Sequence, residues 1–174
     1  SYEYDLAGNR TGWQMGGGNR LLGDGTYTYE YDAEGNVTRQ TQTADGSTRE
    51  FTWDHRNRLV AVVDKTSGGA VTQTVTHTYD ALDRRIGTTV ATPGATQSIH
   101  FVYDREDVAV EYVDADGAAG PAAPALAVVY LHGPATDQVL AQERAGQVLW
   151  LLTDQQGTVR DLVDSSGSVV SHVT

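Results

Sequence analysis

The side chains of this chain best suited to proton transfer are aspartates that follow an aromatic: Tyr4-Asp5, Tyr31-Asp32, Trp53-Asp54, Tyr79-Asp80 and Tyr103-Asp104. Two such carboxylates held face to face could work as general acid and general base. The rings beside them could stack on sugars. Three residues after each Asp, however, stands Gly8, Gly35, Asn57, Asp83 or Asp107. Gly, Asn and Asp are the residue types that most readily enter left-handed φ/ψ space. An Asp bonding its own downstream backbone, with a left-handed residue three positions on, describes a tight hairpin turn closed by a bulge. Capping is therefore the expected work of the aspartates, and packing against neighbouring hairpins that of the aromatics. Asp154 with Gly157, and Asp164 with Gly167, repeat the turn without the aromatic.

Other chemistries find less support. His55, His77, His100, His132 and His172 form no i, i+4 pair and no HExxH motif, so solvated or packed imidazoles are expected. Asp114, Asp116 and Gly117 resemble half a calcium loop, but the twelve-residue ligand spacing and its closing glutamate are missing. No GxSxG elbow exposes a serine. Gly16, Gly17 and Gly18 precede neither Lys-Ser/Thr nor a helix pattern, as a phosphate cradle would require. The absence of cysteine excludes disulfides, thiol catalysis and cysteine-bound zinc. No catalytic residue, cofactor or metal site is expected.

The elements that must hold these residues read as β-strands. The aromatic-Asp pairs recur at intervals of 27, 22, 26 and 24 residues, about a hairpin each. Tyr27, Tyr29 and Tyr31 alternate with Thr28 and Glu30. Val71 to Tyr79 alternates with threonines, and Ile99-Phe101-Tyr103 and Val108-Val110-Tyr112 repeat the pattern. Period-two alternation rich in Thr, Val and Tyr marks half-buried antiparallel strands. No useful window shows helical periodicity with caps. The expected fold is all-β, built of antiparallel hairpin repeats over 1–113, with Tyr31, Trp53, Tyr79 and Tyr103 mostly buried on one face. Segment 114–125, carrying two of the four prolines, is expected to be a flexible loop, and the glycine-rich stretch 16–25 another. Hairpins resume over 126–174.

At this point the motifs carry a family resemblance. YEYDLAGNRTG, YEYDAEGNVTRQ, FTWDHRNRLVAV, HTYDALDRRIG and FVYDREDVAVEY resemble the YD repeat of Rhs proteins, toxin-complex C components and teneurins. VVYLHGPATDQVLAQERAGQVLWLLTDQQGTVRDLVDSSGSVV is similar to the segment that leads into the Rhs core region. Asn57, Asp83 and Asp107 depart from the motif glycine, and Trp53 from its tyrosine. The resemblance implies a β-strip that spirals into a hollow shell around a toxin or another polypeptide. It also implies a bacterial protein, secreted or at the cell surface, whose core region would lie beyond Thr174.

Composition agrees with that class and removes others. Apolar residues make up 39% and charged residues 20%, which is neither disordered nor membrane-like. The run Leu126 to Leu131 is too short to span a bilayer. A net charge of −11 repels the phosphate backbone on which nucleic-acid affinity depends. The leading expectation is a non-catalytic wall segment, partnered by the rest of its parent shell or by copies of itself through open strand edges. Alternatives are a self-associating filament or tube subunit and a carbohydrate-binding or adhesive surface module. Ser1 opens inside a motif, and Tyr2, Tyr4, Val169, Val170 and Val173 offer no polar cap, so pairing at the terminal hairpins is expected.

Overall fold

The computed structural model of the chain describes residues 3–6, 8–135 and 138–172. Tyr2 and Val173, named above as uncapped positions, lie outside the described residues. Fifteen strands follow one another: β1 (Gln14–Met15), β2 (Leu21–Gly23), β3 (Tyr27–Tyr31), β4 (Val37–Gln42), β5 (Thr48–Trp53), β6 (Leu59–Lys65), β7 (Val71–Tyr79), β8 (Arg85–Thr92), β9 (Ala95–Asp104), β10 (Asp107–Asp114), β11 (Ala125–His132), β12 (Val139–Arg144), β13 (Gln147–Thr153), β14 (Val159–Asp164) and β15 (Val169–His172). They form one antiparallel sheet in sequence order. The fold is all-β, and its one helical element among the described residues is a 3-10 turn at Gly17–Asn19. Stretch 16–25 is thus more ordered than its glycines suggest. Leu21 and Leu22 carry it into β2, and the Gly16 N–H closes the turn on the Arg20 carbonyl at 2.8 Å.

Contacts divide the chain into two compact units, residues 1–77 with 90–95 and residues 78–89 with 96–174. In the first, the cross-strand partners Glu30, Arg39 and Glu50 lie on one face in adjacent strands. Arg39 donates to Glu30 at 3.3 Å and to Glu50 at 3.2 Å, and Lys65 reaches Glu50 at 2.6 Å. Such exposed or half-exposed pairs contribute roughly 0.2–1 kcal/mol each. The opposite face carries the cross-strand series Tyr29, Gln40, Arg49, Asp64 and Gln73.

In the second unit, Val102, Val110 and Val129 pair across three strands on one face. Leu131, Ala141, Trp150 and Val163 pair across four strands on the same face. Val102, Leu131, Trp150 and Leu152 stay 42–51% exposed there. On the other face Tyr130 donates to Glu111 at 2.8 Å, and burial, aided by that carboxylate, pushes the phenol up to about 12.

Full burial is scarce: among described apolar side chains only Val128 and Ala141 qualify. Tyr31, Trp53, Tyr79 and Tyr103 are mostly covered without being fully buried. Within each unit the extensive strand contacts among the described residues join hydrogen-bonded neighbours, so cross-strand partners supply much of the cover of their side chains.

Candidate functional site

The aromatic-Asp motifs at Asp32, Asp54, Asp80 and Asp104 end odd-numbered strands and open tight turns into the next strand. At Asp32 the backbone N–H donates to the Asn36 carbonyl at 3.0 Å, and the Gly35 N–H donates back to the Asp32 carbonyl at 3.3 Å. The carboxylate Oδ1 accepts the Glu34 and Asn36 N–H groups at 3.0 and 2.8 Å. Ladder register then shifts by one residue, so that Tyr31 faces Val37. A four-residue turn closed by a bulge results. The same double clamp holds Asp54 on the N–H groups of Arg56 and Arg58, and Asp80 on those of Leu82 and Arg84. It also holds Asp154 on Gln156 and Thr158, and Asp164 on Ser166 and Ser168. At Asp5 the carboxylate holds the Asn9 N–H at 2.8 Å, while Tyr4 takes part only in an isolated bridge with Arg10. Positive φ falls at Gly8, Gly35, Asn57, Asp83, Gly157 and Gly167.

Asp104 and Asp107 depart from this pattern. They pair directly across a two-residue turn, and the positive φ (57°) falls on Arg105 instead of Asp107. The reason lies one position further on. Where the other turns present Asn9, Asn36, Arg58 or Arg84 four residues after the Asp, this one presents Val108, which cannot bond the carboxylate. Its β-branched run keeps the chain extended, and the register shift moves inward to between Val108 and Val110.

That fourth position is a part of the site that the aromatic-Asp-x-x-Gly spacing does not show. Asn36 donates its amide both to Asp32 of its own turn (2.9 Å) and to Asn57 in the left-handed position of the next turn (2.9 Å). Arg84 does the equivalent with a guanidinium: it pairs with Asp80 at 2.7 Å and donates to the Arg105 carbonyl in the following turn. Arg84 also lies over the Tyr103 ring, 4.8 Å from its centroid. Each reaches 21 residues ahead, to a residue with positive φ. The motif aromatics run backwards in the same sense. Trp53 Nε1 donates to the Val37 carbonyl at 2.8 Å, and Tyr103 Oη to the Arg85 carbonyl at 3.0 Å. Both acceptors are first residues of the preceding strand. Tyr31 Oη likewise donates to the Leu21 carbonyl at 2.7 Å.

Further turns escaped the motif, those at Thr66 and Ala145 among them. Thr66 stands where the other turns have Asp: its Oγ1 accepts the Ala70 N–H at 3.2 Å, and Gly69 has φ 82°. The spacing Thr-Ser-Gly-Gly was the available signal. Ala145-Gly146 forms a two-residue turn with both φ values positive.

The electrostatics suit capping better than proton transfer. The hydrogen bond from the Arg58 side chain, helped by backbone N–H groups and opposed by some burial, draws Asp54 down to about 2. The Asn36 amide lowers Asp32, and the Ser166 hydroxyl lowers Asp164. Burial pulls Asp80 the other way, yet Arg84 and two backbone donors still lower it. Backbone N–H groups of Gln156 and Thr158 lower Asp154. Carboxylates held ionised this firmly carry no proton to give near neutral pH and are weak bases.

Of the histidines, His132 Nε2 lies 2.8 Å from the Val108 carbonyl and His172 Nδ1 lies 2.7 Å from Asp161. Among the described residues no three His, Cys, Asp or Glu side chains gather closely enough to hold a metal ion. No described helix is long and apolar enough to cross a membrane.

The Tc holotoxin pore of Photorhabdus luminescens, with a mutation in TccC3, aligns with 99% of this chain and 15% of its own. The identity is 11% and the TM-score 0.46. The TcdB2-TccC3 crystal structure aligns with 98% of this chain and 17% of its own, at 10% identity and a TM-score of 0.39. The chain thus spans a small part of the length of either structure. No curated protein matches it. The model of the teneurin YD-shell family matches residues 1–174, and the chain belongs to that family.

Proposed function

We propose that this chain is a structural, non-catalytic wall segment of a secreted bacterial Rhs-type protein that encloses or presents another polypeptide. The observation that carries the reading is the turn-to-turn linkage. Asn36 and Arg84 each bind their own capping Asp and the left-handed residue of the next turn, so successive hairpins are fastened in register by side chains as well as by backbone. A single hairpin cannot bury a face, whereas hairpins paired in sequence make continuous walling. Membership of the YD-shell family supports the same reading. The partners would be the rest of the parent wall, copies of this chain, and the enclosed polypeptide.

The test is protease protection in the parent protein. An enclosed polypeptide should resist proteinase K while the wall is intact. It should become cleavable when Asn36→Ala and Arg84→Ala are introduced together. Cleavage in the unmodified protein as fast as that of the free polypeptide would reject enclosure.

A further inference from the structure

We propose that the second unit binds a calcium ion where β10 passes into the connection that follows it, with Asp114 and Asp116 as the charged ligands. Asp114 is 3% exposed, and Ser98, its partner across the ladder with β9, is 2% exposed. Directly opposed residues project to the same face of a sheet, so this carboxylate and this hydroxyl share one buried place. Among the described residues the Asp114 carboxylate receives a single hydrogen bond, from the Asp116 N–H at a long 3.4 Å. No Lys, Arg or His among those residues pairs with it. Asp116 Oδ2 accepts the Ala122 N–H at 3.1 Å, but Oδ1 is fully buried and has no partner. Ionised carboxylates enclosed in this way must be matched by positive charge, and the described side chains supply none.

The backbone is shaped around these oxygens. A Cβ at Gly120 would collide with the Asp116 carboxylate, and one at Gly117 would meet Thr96 Cγ2 at 2.6 Å and Ser98 Oγ at 3.7 Å. Only residues without side chains let the connection close on Ser98 and Asp116 together. Ser98 Oγ lies 2.8 Å from Thr89 Oγ1. With Ser98 as donor in that bond, its lone pairs stay available to a cation. The carboxylates number two, short of a three-carboxylate cluster, so the hydroxyl and carbonyls of the connection complete the set. Every ligand is then an oxygen, which selects a hard cation, and calcium accepts irregular shells of six to eight oxygens completed by water. The spacing of a calcium loop is missing from the sequence because part of this site comes from β9, across the ladder. A bound ion would fasten the connection 115–124 to β9 and β10.

Calorimetric titration of the chelator-treated 174-residue chain with CaCl2 tests the assignment. One ion should bind saturably with a Kd of about 0.1–1 mM, the weak range that suits a small count of charged ligands. At about ten times that Kd the melting temperature should rise by about 3–6 °C. Asp114→Asn should weaken binding at least about tenfold. Asp116→Asn, at a less buried position where folding is safer, should weaken it as much. Asp154→Asn, in a capping turn, should leave the calcium response unchanged. Neither binding heat nor a shift in melting up to about 10 mM calcium, an equal rise with NaCl of matched ionic strength, or binding that survives both substitutions would overturn the proposal.

Discussion

Gly35 shows how little of a residue's importance here resides in its contacts. A Cβ added at Gly35 would meet Arg20 only at an ordinary 3.6 Å, so space is not the constraint. The constraint is φ at 97°, which a β-branched side chain resists. Gly35→Val should therefore cost about 1–2 kcal/mol, measured as a shift in the denaturant midpoint with an unchanged slope. The capping carboxylates make a second statement at this scale. Asp54 titrates near 2 in the folded chain, against about 3.9 for an unfolded Asp. Its contribution is complete above the unfolded value and is lost as pH falls through the folded one. Asp32, Asp80, Asp154 and Asp164 shift in the same direction. Thermal stability should fall steeply between about pH 4 and pH 2. Asp54→Asn should lower it at pH 7 and flatten that fall. A melting temperature constant over the interval would contradict the capping role.

At the scale of elements, the hairpins that turn on Asp32, Asp54, Asp80, Asp154 and Asp164 were legible, because an Asp with a left-handed residue three positions on is a local code that needs no tertiary information. Thr28, Glu30 and their alternating tyrosines likewise announce β3. What was not legible depended on the strand next door. Asp104 carries the same motif yet lacks a polar fourth residue, and Val108 extends the ladder through the place where the turn was expected. The bonds from Asn36 to Asn57 and from Arg84 to Arg105 join residues that only strand register brings together. Register also exposes an imperfect turn: Ala145 holds φ at 52°, a conformation that suits Asn far better. Ala145→Asn should raise stability by up to about 1 kcal/mol, read as a higher midpoint in chemical denaturation.

For the molecule as a whole, two properties oppose each other. The second unit leaves Val102, Leu131, Trp150 and Leu152 between 42% and 51% exposed on a single face. The chain meanwhile carries a net charge of −11, which keeps copies apart. Screening that repulsion should favour association through the apolar face. Light scattering should report a mass that grows as salt is raised from about 0.05 M to about 1 M, where the screening length falls to roughly 3 Å. Trp150→Lys should blunt the growth. A mass independent of salt would mean that this face does not drive self-association.

The stride from one turn to the next has a consequence for how such a chain can change over generations. Asn36 and Arg84 both reach 21 residues ahead, so one residue gained or lost inside β4, β5, β8 or β9 would break the linkage and turn every later side chain to the wrong face. Connections outside that stride carry no such penalty, and the longest of them, 115–124, lies between β10 and β11. Length variation among descendants of this sequence should gather in connections of that kind, while the interval between a fourth residue and the next left-handed residue stays fixed. The left-handed position can hold a residue other than glycine and leave the turn standing, as Asn57 does with φ 57°; insertion within the stride cannot be absorbed so cheaply.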